Sequence, residues 1–302
     1  MLRTLLSFVK LGRPKFLVGG LLLFALGSAL AAQGGAAINW YRYAWGQAIV
    51  STIQLMTHYA NDYFDLEADR ANATPTQWSG GSRVLPSGQL RPGVAFAAAL
   101  VLFATAVSVA ILASLRMGDA PLLLPISLLM LGLSWAYSAP PWRLLSRGLG
   151  EFTTALVVTL LTPLLGFYVQ TGALRLLPVL ACVPLCGLQF AMLLTIELPD
   201  AASDAALGKR TLVVRRGAEW GARCCAGVLA ASFGALPLLA LLGLPWPTAT
   251  LAALLAPLGI WHAWRLMRGA FRDPRHFGSL AFFSVALLAG TTLAELVGTL
   301  LW

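Results

Sequence analysis

Acid is scarce in this chain. Only 12 Asp and Glu residues stand against 21 Lys and Arg in 302 positions, leaving a net charge of +9. Charged residues of both signs make up only 11% of the sequence, and no hydrophilic run is long enough for a separate soluble domain. With 58% hydrophobic residues, that composition excludes both an ordinary soluble domain and a disordered chain. Cysteine is limited to Cys182 and Cys186 in one apolar stretch and Cys224 and Cys225 at the start of another. No pair has zinc-site spacing with a second ligand pair, so these read as small hydrophobes. No basic stretch carries a recognition motif for nucleic acid, and the positive charge needs another explanation.

What the chain has instead is apolar runs of roughly 17 to 23 residues, each long enough to cross a hydrocarbon core as a helix. Nine can be placed, at about 16–32, 44–60, 93–115, 120–138, 150–169, 176–196, 221–243, 247–267 and 279–301. Cytoplasmic loops collect Lys and Arg. With nine spans and a cytoplasmic N-terminus, 18 of the 21 basic residues fall on the inner side and only Arg42, Arg116 and Arg175 on the outer. Losing one span would invert every later loop and scramble that asymmetry. The reading is therefore an all-α, polytopic bundle of nine membrane helices in the inner (cytoplasmic) membrane, one integral domain over 1–302. The basic N-terminus followed by Ser28-Ala29-Leu30-Ala31-Ala32 mimics a cleavable signal; the charge pattern favours an uncleaved first helix.

Seven of the 12 acids lie in two short stretches, 62–69 and 197–204, each at the cytoplasmic end of an apolar run. Carboxylates at a membrane face are expensive. Residues four apart share a helix face, so Asn61, Asp65 and Asp69 make one line of oxygen ligands and Asp200 and Asp204 another. Such a donor set suits magnesium, which binds through one or two carboxylates plus water and substrate phosphate. The expected object is a pair of magnesium sites bridged by a diphosphate. Arg83 after Gly80-Gly81, Arg143 after Pro140-Pro141, and Lys209-Arg210 after Gly208 are candidate phosphate cations. His58 lies one turn before Asn61, and Trp135 and Tyr137 end another span on the same side, so they are candidates to line an aromatic acceptor pocket. Of the remaining acids near the membrane, Glu151, Glu197 and Glu295, Glu197 is one turn from Asp200 and best placed to act on an acceptor. Four spans separate the two acid stretches. A repeated four-helix unit would set them facing across a central cavity.

Asn61-Asp62-x-x-Asp65-x-x-x-Asp69 with Asp200-x-x-x-Asp204, over nine spans, resembles the UbiA superfamily of intramembrane aromatic prenyltransferases. Arg13-Pro14-Lys15, Tyr137-Ser138-Ala139-Pro140-Pro141, Gly148-Leu149-Gly150-Glu151, Tyr168-Val169-Gln170-Thr171-Gly172 and Gly208 to Arg215 are similar to the branch that prenylates 1,4-dihydroxy-2-naphthoate in menaquinone synthesis. The resemblance implies Mg2+ held by Asn61, Asp65 and Asp69 opposite Asp200 and Asp204, gripping a polyprenyl diphosphate. Its allylic carbon is then attacked by an aromatic ring, with Asp65, Asp200, Glu197 and Tyr137 as candidate catalytic side chains. One departure concerns the acceptor: Glu197-Leu198-Pro199-Asp200 stands where that branch often carries Asn-x-Arg-Asp, which leaves 4-hydroxybenzoate as an alternative. The Asp-Gly and Ala-Arg motif of phosphatidyl-alcohol transferases is missing. A carrier would place its charges near the bilayer midplane, whereas these acids stand at span ends.

Overall fold

The computed structural model describes residues 2–301. The helices in chain order are α1 (Leu2–Leu11), α2 (Pro14–Gln33), α3 (Trp40–Phe64), α4 (Leu66–Ala71), α5 (Pro92–Arg116), α6 (Leu123–Ser138), α7 (Gly150–Thr154), α8 (Thr162–Thr171), α9 (Leu176–Glu197), α10 (Ala201–Ala206), α11 (Leu212–Arg216), α12 (Ala218–Gly234), α13 (Leu236–Leu241), α14 (Trp246–Ala253), α15 (Ala256–Met267) and α16 (Phe277–Leu300). No strand occurs among the described residues.

Local chemistry sets several boundaries. Pro14 and Pro92 occupy first-turn positions, where a missing N–H is harmless. Asn39 caps α3, its Oδ1 accepting from the N–H groups of Tyr41 and Arg42 at 3.1 Å each. Between α7 and α8 the backbone widens into a π-helical stretch, Ala155–Leu161, just ahead of Pro163. That widening lets the helix continue past a residue that cannot donate.

Six helical segments are long and apolar enough to cross a membrane: Pro14–Gln33, Pro92–Arg116, Gly150–Thr171, Leu176–Glu197, Ala218–Leu241 and Pro274–Leu300. The other three expected spans differ for physical reasons. Helix α6 is apolar but only 16 residues long. Helix α3 is long but carries Gln47, Gln54, Thr57 and His58 along its length. The expected span at 247–267 is broken at Leu254–Leu255, ahead of Pro257, into α14 and α15.

Packing is inside-out relative to a water-soluble helix. The residues α5 buries are Ala95, Ala99, Ala106, Ala110 and Ala113. The large side chains Leu100, Val101, Ile111, Leu112 and Leu115 are exposed. Lipid is as apolar as leucine, so helices gain by close backbone approach through small residues rather than by hiding large ones. The α2–α8 contact takes this furthest. A Cβ on Gly27 would lie 1.9 Å from the Pro163 carbonyl oxygen, and one on Gly166 would lie 2.3 Å from that of Phe24. Ser28 Oγ donates to the Gly166 carbonyl at 3.2 Å across the same seam.

The apolar core forms two clusters. One includes Ile49, Ile53, Ala99 and Leu131 from α3, α5 and α6. The other includes Leu185, Leu194, Leu229 and Leu287 from α9, α12 and α16. Helices α2 and α8 contribute to both, Phe24 and Leu165 to the first and Leu26 and Phe167 to the second. The α2–α8 seam therefore joins the two halves, and Gly27→Leu is expected to destabilise the protein by about 1–3 kcal/mol or more through forced separation of backbones. A lowered melting temperature in detergent checks this, with Gly19→Leu, where a Cβ meets nothing within 4 Å, as the control.

Candidate functional site

Helices α3 and α9 each end inside an acid cluster, and each restarts as a six-residue helix, α4 and α10. The four-residue register runs through the first break and resumes at Asp200 after the second. Asp65 N–H donates to the Asn61 carbonyl and Asp69 N–H to that of Asp65, each at 2.9 Å, and Asp204 N–H donates to the Asp200 carbonyl at 2.9 Å. Pro199 lies in the second break, between Glu197 and Asp200.

The two acid ends face each other. Lys209 stands between them, with Nζ 3.3 Å from Asp65 Oδ1 and 3.1 Å from Asp204 Oδ1. Asn72, just beyond α4, donates from Nδ2 to Asp200 Oδ1 at 2.6 Å. The Gly80 N–H donates to the other Asp200 oxygen at 3.2 Å. Within the first cluster Asn61 Nδ2 bonds Asp65 Oδ2 at 2.7 Å and Ser138 Oγ at 3.0 Å. Asp62, which lies off the ligand line, is fully buried and holds the Arg13 guanidinium and the Ser82 hydroxyl.

These groups line a chamber of about 170 Å³ that contains His58, Asn61, Asp65, Asp69, Tyr137, Glu197, Asp200, Asp204 and Lys209. Beneath it lies a larger cavity of about 320 Å³, walled by residues such as Leu22, Leu23, Val50, Ile53, Met130 and Leu288. The two share Arg13, Phe16, His58, Asn61, Tyr137 and Met192, so the acidic chamber is the mouth of the apolar cavity.

The electrostatics of the mouth are unbalanced. Five carboxyl groups, those of Asp65, Asp69, Glu197, Asp200 and Asp204, line it beside one ammonium, that of Lys209, and the Arg13 guanidinium, which pairs with Asp62 and donates to Asn61 Oδ1 at 3.2 Å. Burial pushes the Asp69 carboxyl up to about 8, with Asp65 and Asp62 adding to the rise against the pull of Arg13. Burial and the neighbouring Asp204 push Asp200 up to about 6. Burial also raises Asp204. Lys209 moves the other way: burial opposes its charge, yet Asp65 and Asp204 outweigh that and hold its proton more firmly than usual. Such a chamber repels anions and attracts cations.

Three expected phosphate cations do not line it. Arg143 and Arg210 are exposed. Arg210 is pinned by its own N–H to the Ser146 carbonyl at 2.9 Å, one residue after Lys209 enters the chamber. Arg83 turns its guanidinium to the backbone carbonyl of Asp69, acting as a clamp on α4. Asn72 and Trp78 escaped the sequence reading, while Arg13 entered it only as part of the Arg-Pro-Lys motif and Gly80 only as the approach to Arg83.

Gly80 and Gly81, at φ +72° and +73°, let the 72–90 loop press against both clusters. A Cβ on Gly81 would lie 2.0 Å from Asp69 Oδ2, and one on Gly80 would lie 2.9 Å from Asn72 Nδ2. Gly88 shares the left-handed backbone, at φ +70°, but meets nothing within 4 Å. Backbone strain alone predicts a cost of about 1–2 kcal/mol for Gly88→Ala. Gly81→Ala carries that strain plus displacement of Asp69, and thermal unfolding of the two variants side by side should show the larger loss for Gly81→Ala.

The sequence matches the UbiA prenyltransferase family over residues 21–286. No curated protein sequence matches it. Among solved structures, a digeranylgeranylglyceryl phosphate synthase superposes with a TM-score of 0.67 at 17% identity, covering 99% of each chain. A UbiA homologue from Archaeoglobus fulgidus bound to GPP and Mg2+ gives a TM-score of 0.62 at 15% identity, over 96% of this chain and 99% of that one. A UbiA homologue from Aeropyrum pernix K1 gives 0.63 at 17%, over 88% and 95%. At these identities the likeness is one of fold. Because the matched region runs through both acid clusters and the cavity beneath them, the chain belongs to the UbiA prenyltransferase family and is a membrane-embedded prenyltransferase.

Proposed function

We propose that this enzyme transfers a polyprenyl group from a polyprenyl diphosphate to an aromatic acceptor, 1,4-dihydroxy-2-naphthoate, in menaquinone biosynthesis, with Mg2+ as cofactor. The observation that carries the reading is the meeting of two acid clusters at the mouth of an apolar cavity. A diphosphate head and a prenyl tail require that pairing of environments. The Archaeoglobus fulgidus homologue, bound to GPP and Mg2+, supports it by fold.

The donor set fits magnesium. Asn61, Asp65 and Asp69 would hold it on one side, and Asp200 and Asp204 on the other. Among the described residues no three His, Cys, Asp or Glu side chains converge to enclose an ion. Magnesium is held by one or two carboxylates and completes its shell with substrate phosphate and water. Bound magnesium supplies charge neutralisation for the diphosphate and stabilises it as a leaving group. The chain's own groups do the rest. Lys209 adds the one positive side chain shared by both clusters, and Asn72 with the Gly80 N–H orients Asp200. Phe16, His58 and Tyr137, at the junction of the two cavities, offer aromatic faces where positive charge develops on the allylic carbon. The apolar walls below exclude water from that carbon. Glu197 lines the chamber with both oxygens unpaired and is placed to receive an acceptor hydroxyl.

Two further parts of the proposal concern setting. The chain crosses the inner membrane nine times as one integral domain, with its N-terminus and the acidic chamber on the cytoplasmic side. Basic residues crowd the chamber end, while the opposite end carries the Arg42–Asp119 pair at 2.5 Å. A second reading, 4-hydroxybenzoate as acceptor, is favoured by the break at Leu198–Asp200, where Pro199 replaces the branch's arginine. The digeranylgeranylglyceryl phosphate synthase of like fold is named for a glyceryl phosphate lipid.

Purified enzyme given Mg2+, a labelled polyprenyl diphosphate and either aromatic acid should prenylate 1,4-dihydroxy-2-naphthoate. Product from 4-hydroxybenzoate alone would transfer the assignment to the second reading. Asp65→Ala and Asp200→Ala should each lower turnover by about 10²–10³ with magnesium limiting, while membrane insertion is unchanged.

Magnesium should also stabilise the protein in a pH-dependent way. Without metal, folded Asp69 and Asp200 keep protons that the unfolded chain releases near 3.8, so stability falls as pH rises through about 6 and then about 8. Bound Mg2+ takes the place of those protons. Its effect on melting temperature should therefore be larger at about pH 8.5 than at about pH 6, with proton release on binding at the lower pH.

A further inference from the structure

Lys209 enters the acidic chamber from a segment with no regular structure of its own, between Gly208, at φ +74°, and the start of α11. On one side the Lys209 N–H donates to the Asp204 carbonyl at 2.9 Å, which ties its backbone to α10. On the other side the ties run to one turn, residues 146–151. The Arg210 N–H donates to the Ser146 carbonyl at 2.9 Å. The Leu212 N–H donates to Glu151 Oε1 at 3.2 Å, and the Arg215 guanidinium donates to the Arg147 carbonyl at 3.3 Å. Gly148 lets the two segments close up, since a Cβ there would lie 3.1 Å from the Arg210 carbonyl oxygen.

Of these three bonds to the turn, only the one to Glu151 uses a side chain of the turn. Glu151 is 0% exposed, in the first turn of the apolar segment Gly150–Thr171. Its other oxygen, Oε2, has no hydrogen-bond partner among the described residues. A carboxyl buried with so little compensation is costly, and more so at a membrane. The proposed mechanism does not use it. Its one bond meets the chain three residues beyond Lys209, whose ammonium lies 3.3 Å from Asp65 and 3.1 Å from Asp204. A shift of about 1 Å in the segment would break both contacts.

The structure assigns to Glu151 the role of a positioning residue, which holds the segment that places the Lys209 ammonium between the two acid clusters. The consequence for turnover rests on the proposed function, in which Lys209 adds its charge at the diphosphate site; the placement itself does not. What matters is the reach of the Glu151 side chain rather than its charge. Glutamine offers an acceptor oxygen at the same distance, whereas aspartate keeps the charge but is one carbon short of Leu212. Glu151 also neighbours Glu197. A change in turnover alone would therefore not show that the effect runs through Lys209, and the placement of the ammonium has to be read directly.

The chain has three lysines, Lys10, Lys15 and Lys209, of which Lys10 is exposed and serves as the internal reference. The purified full chain is acetylated with acetic anhydride in the absence of metal, and labelling of Lys209 relative to Lys10 is read by mass spectrometry. The ratio should be low in the wild type, rise severalfold in Glu151→Leu and Glu151→Asp, and return to the wild-type value in Glu151→Gln. The aspartate variant carries the test if Glu151→Leu does not fold. With geranylgeranyl diphosphate as donor and the acceptor fixed, kcat/KM should fall about 10- to 100-fold in Glu151→Leu and Glu151→Asp, the scale of a misplacement by about 1 Å. It should recover in Glu151→Gln. Combining Glu151→Leu with Lys209→Met should lower it no further than Lys209→Met alone, because a residue that acts through another is not additive with it. A folded Glu151→Asp whose Lys209 stays as protected as in the wild type overturns the inference, as does equal labelling in Glu151→Gln and Glu151→Asp. Wild-type enzyme that turns over no prenyl donor overturns the proposed function instead, and the labelling ratios then decide the placement on their own.

Discussion

The chamber holds more negative charge than it neutralises, and the surrounding structure is arranged around that imbalance. Asp65, Asp69, Asp200 and Asp204 come from two helix ends about 130 residues apart in the chain, and Lys209 alone is shared between them. Like charges at close quarters in a poorly solvated site repel unless the scaffold holds them. The scaffold does so with backbone and neutral donors: Asn72 and the Gly80 N–H on Asp200, Asn61 on Asp65, Arg83 on the carbonyl of Asp69. Arg13 pairs with Asp62, which stands off the ligand line, and reaches that line only through a donated bond to Asn61 Oδ1 at 3.2 Å. The result is a site preorganised for cations and, through them, for an anion that the bare protein would reject.

Holding that arrangement in lipid demands close backbone packing elsewhere. A bundle surrounded by hydrocarbon gains little from burying leucine, so its helices meet through alanine on α5 and through Gly27 and Gly166 between α2 and α8. Because α2 and α8 serve both halves of the core, their seam sets how far apart α3 and α9 end, and hence how the acid clusters face. The cavity between the halves is the space this packing leaves, apolar on its walls and bounded above by carboxylates.

Much of the site was readable from local pattern. The line Asn61, Asp65, Asp69 and the pair Asp200, Asp204 follow from helical periodicity; the register runs through the break after α3 and resumes at Asp200 after the break that ends α9. His58, Tyr137 and Glu197 also reach the chamber from positions one or two turns away from those motifs or at the same end of a neighbouring helix. The basic residues were less readable. Lys209 and Arg210 are adjacent, yet only Lys209 enters the chamber, since neighbours in a non-helical segment face different ways. Arg143 follows a turn that leaves it exposed. The 72–90 loop has no periodicity from which its contacts with Asp62, Asp69 and Asp200 follow; its tandem glycine is the one trace of that close approach.

The sequence by itself determined that this is a helical membrane protein, that both acid stretches stand at the ends of apolar runs, and which acids share a helix face. Those are properties of segments, set by hydrophobic run length and the 3.6-residue turn. Only the tertiary structure decided that the two clusters meet over one cavity, which cations join them, and that a nominal span breaks at Leu254–Leu255. Those are distances between residues far apart in the chain, set by how closely helices can pack, and no local pattern encodes them.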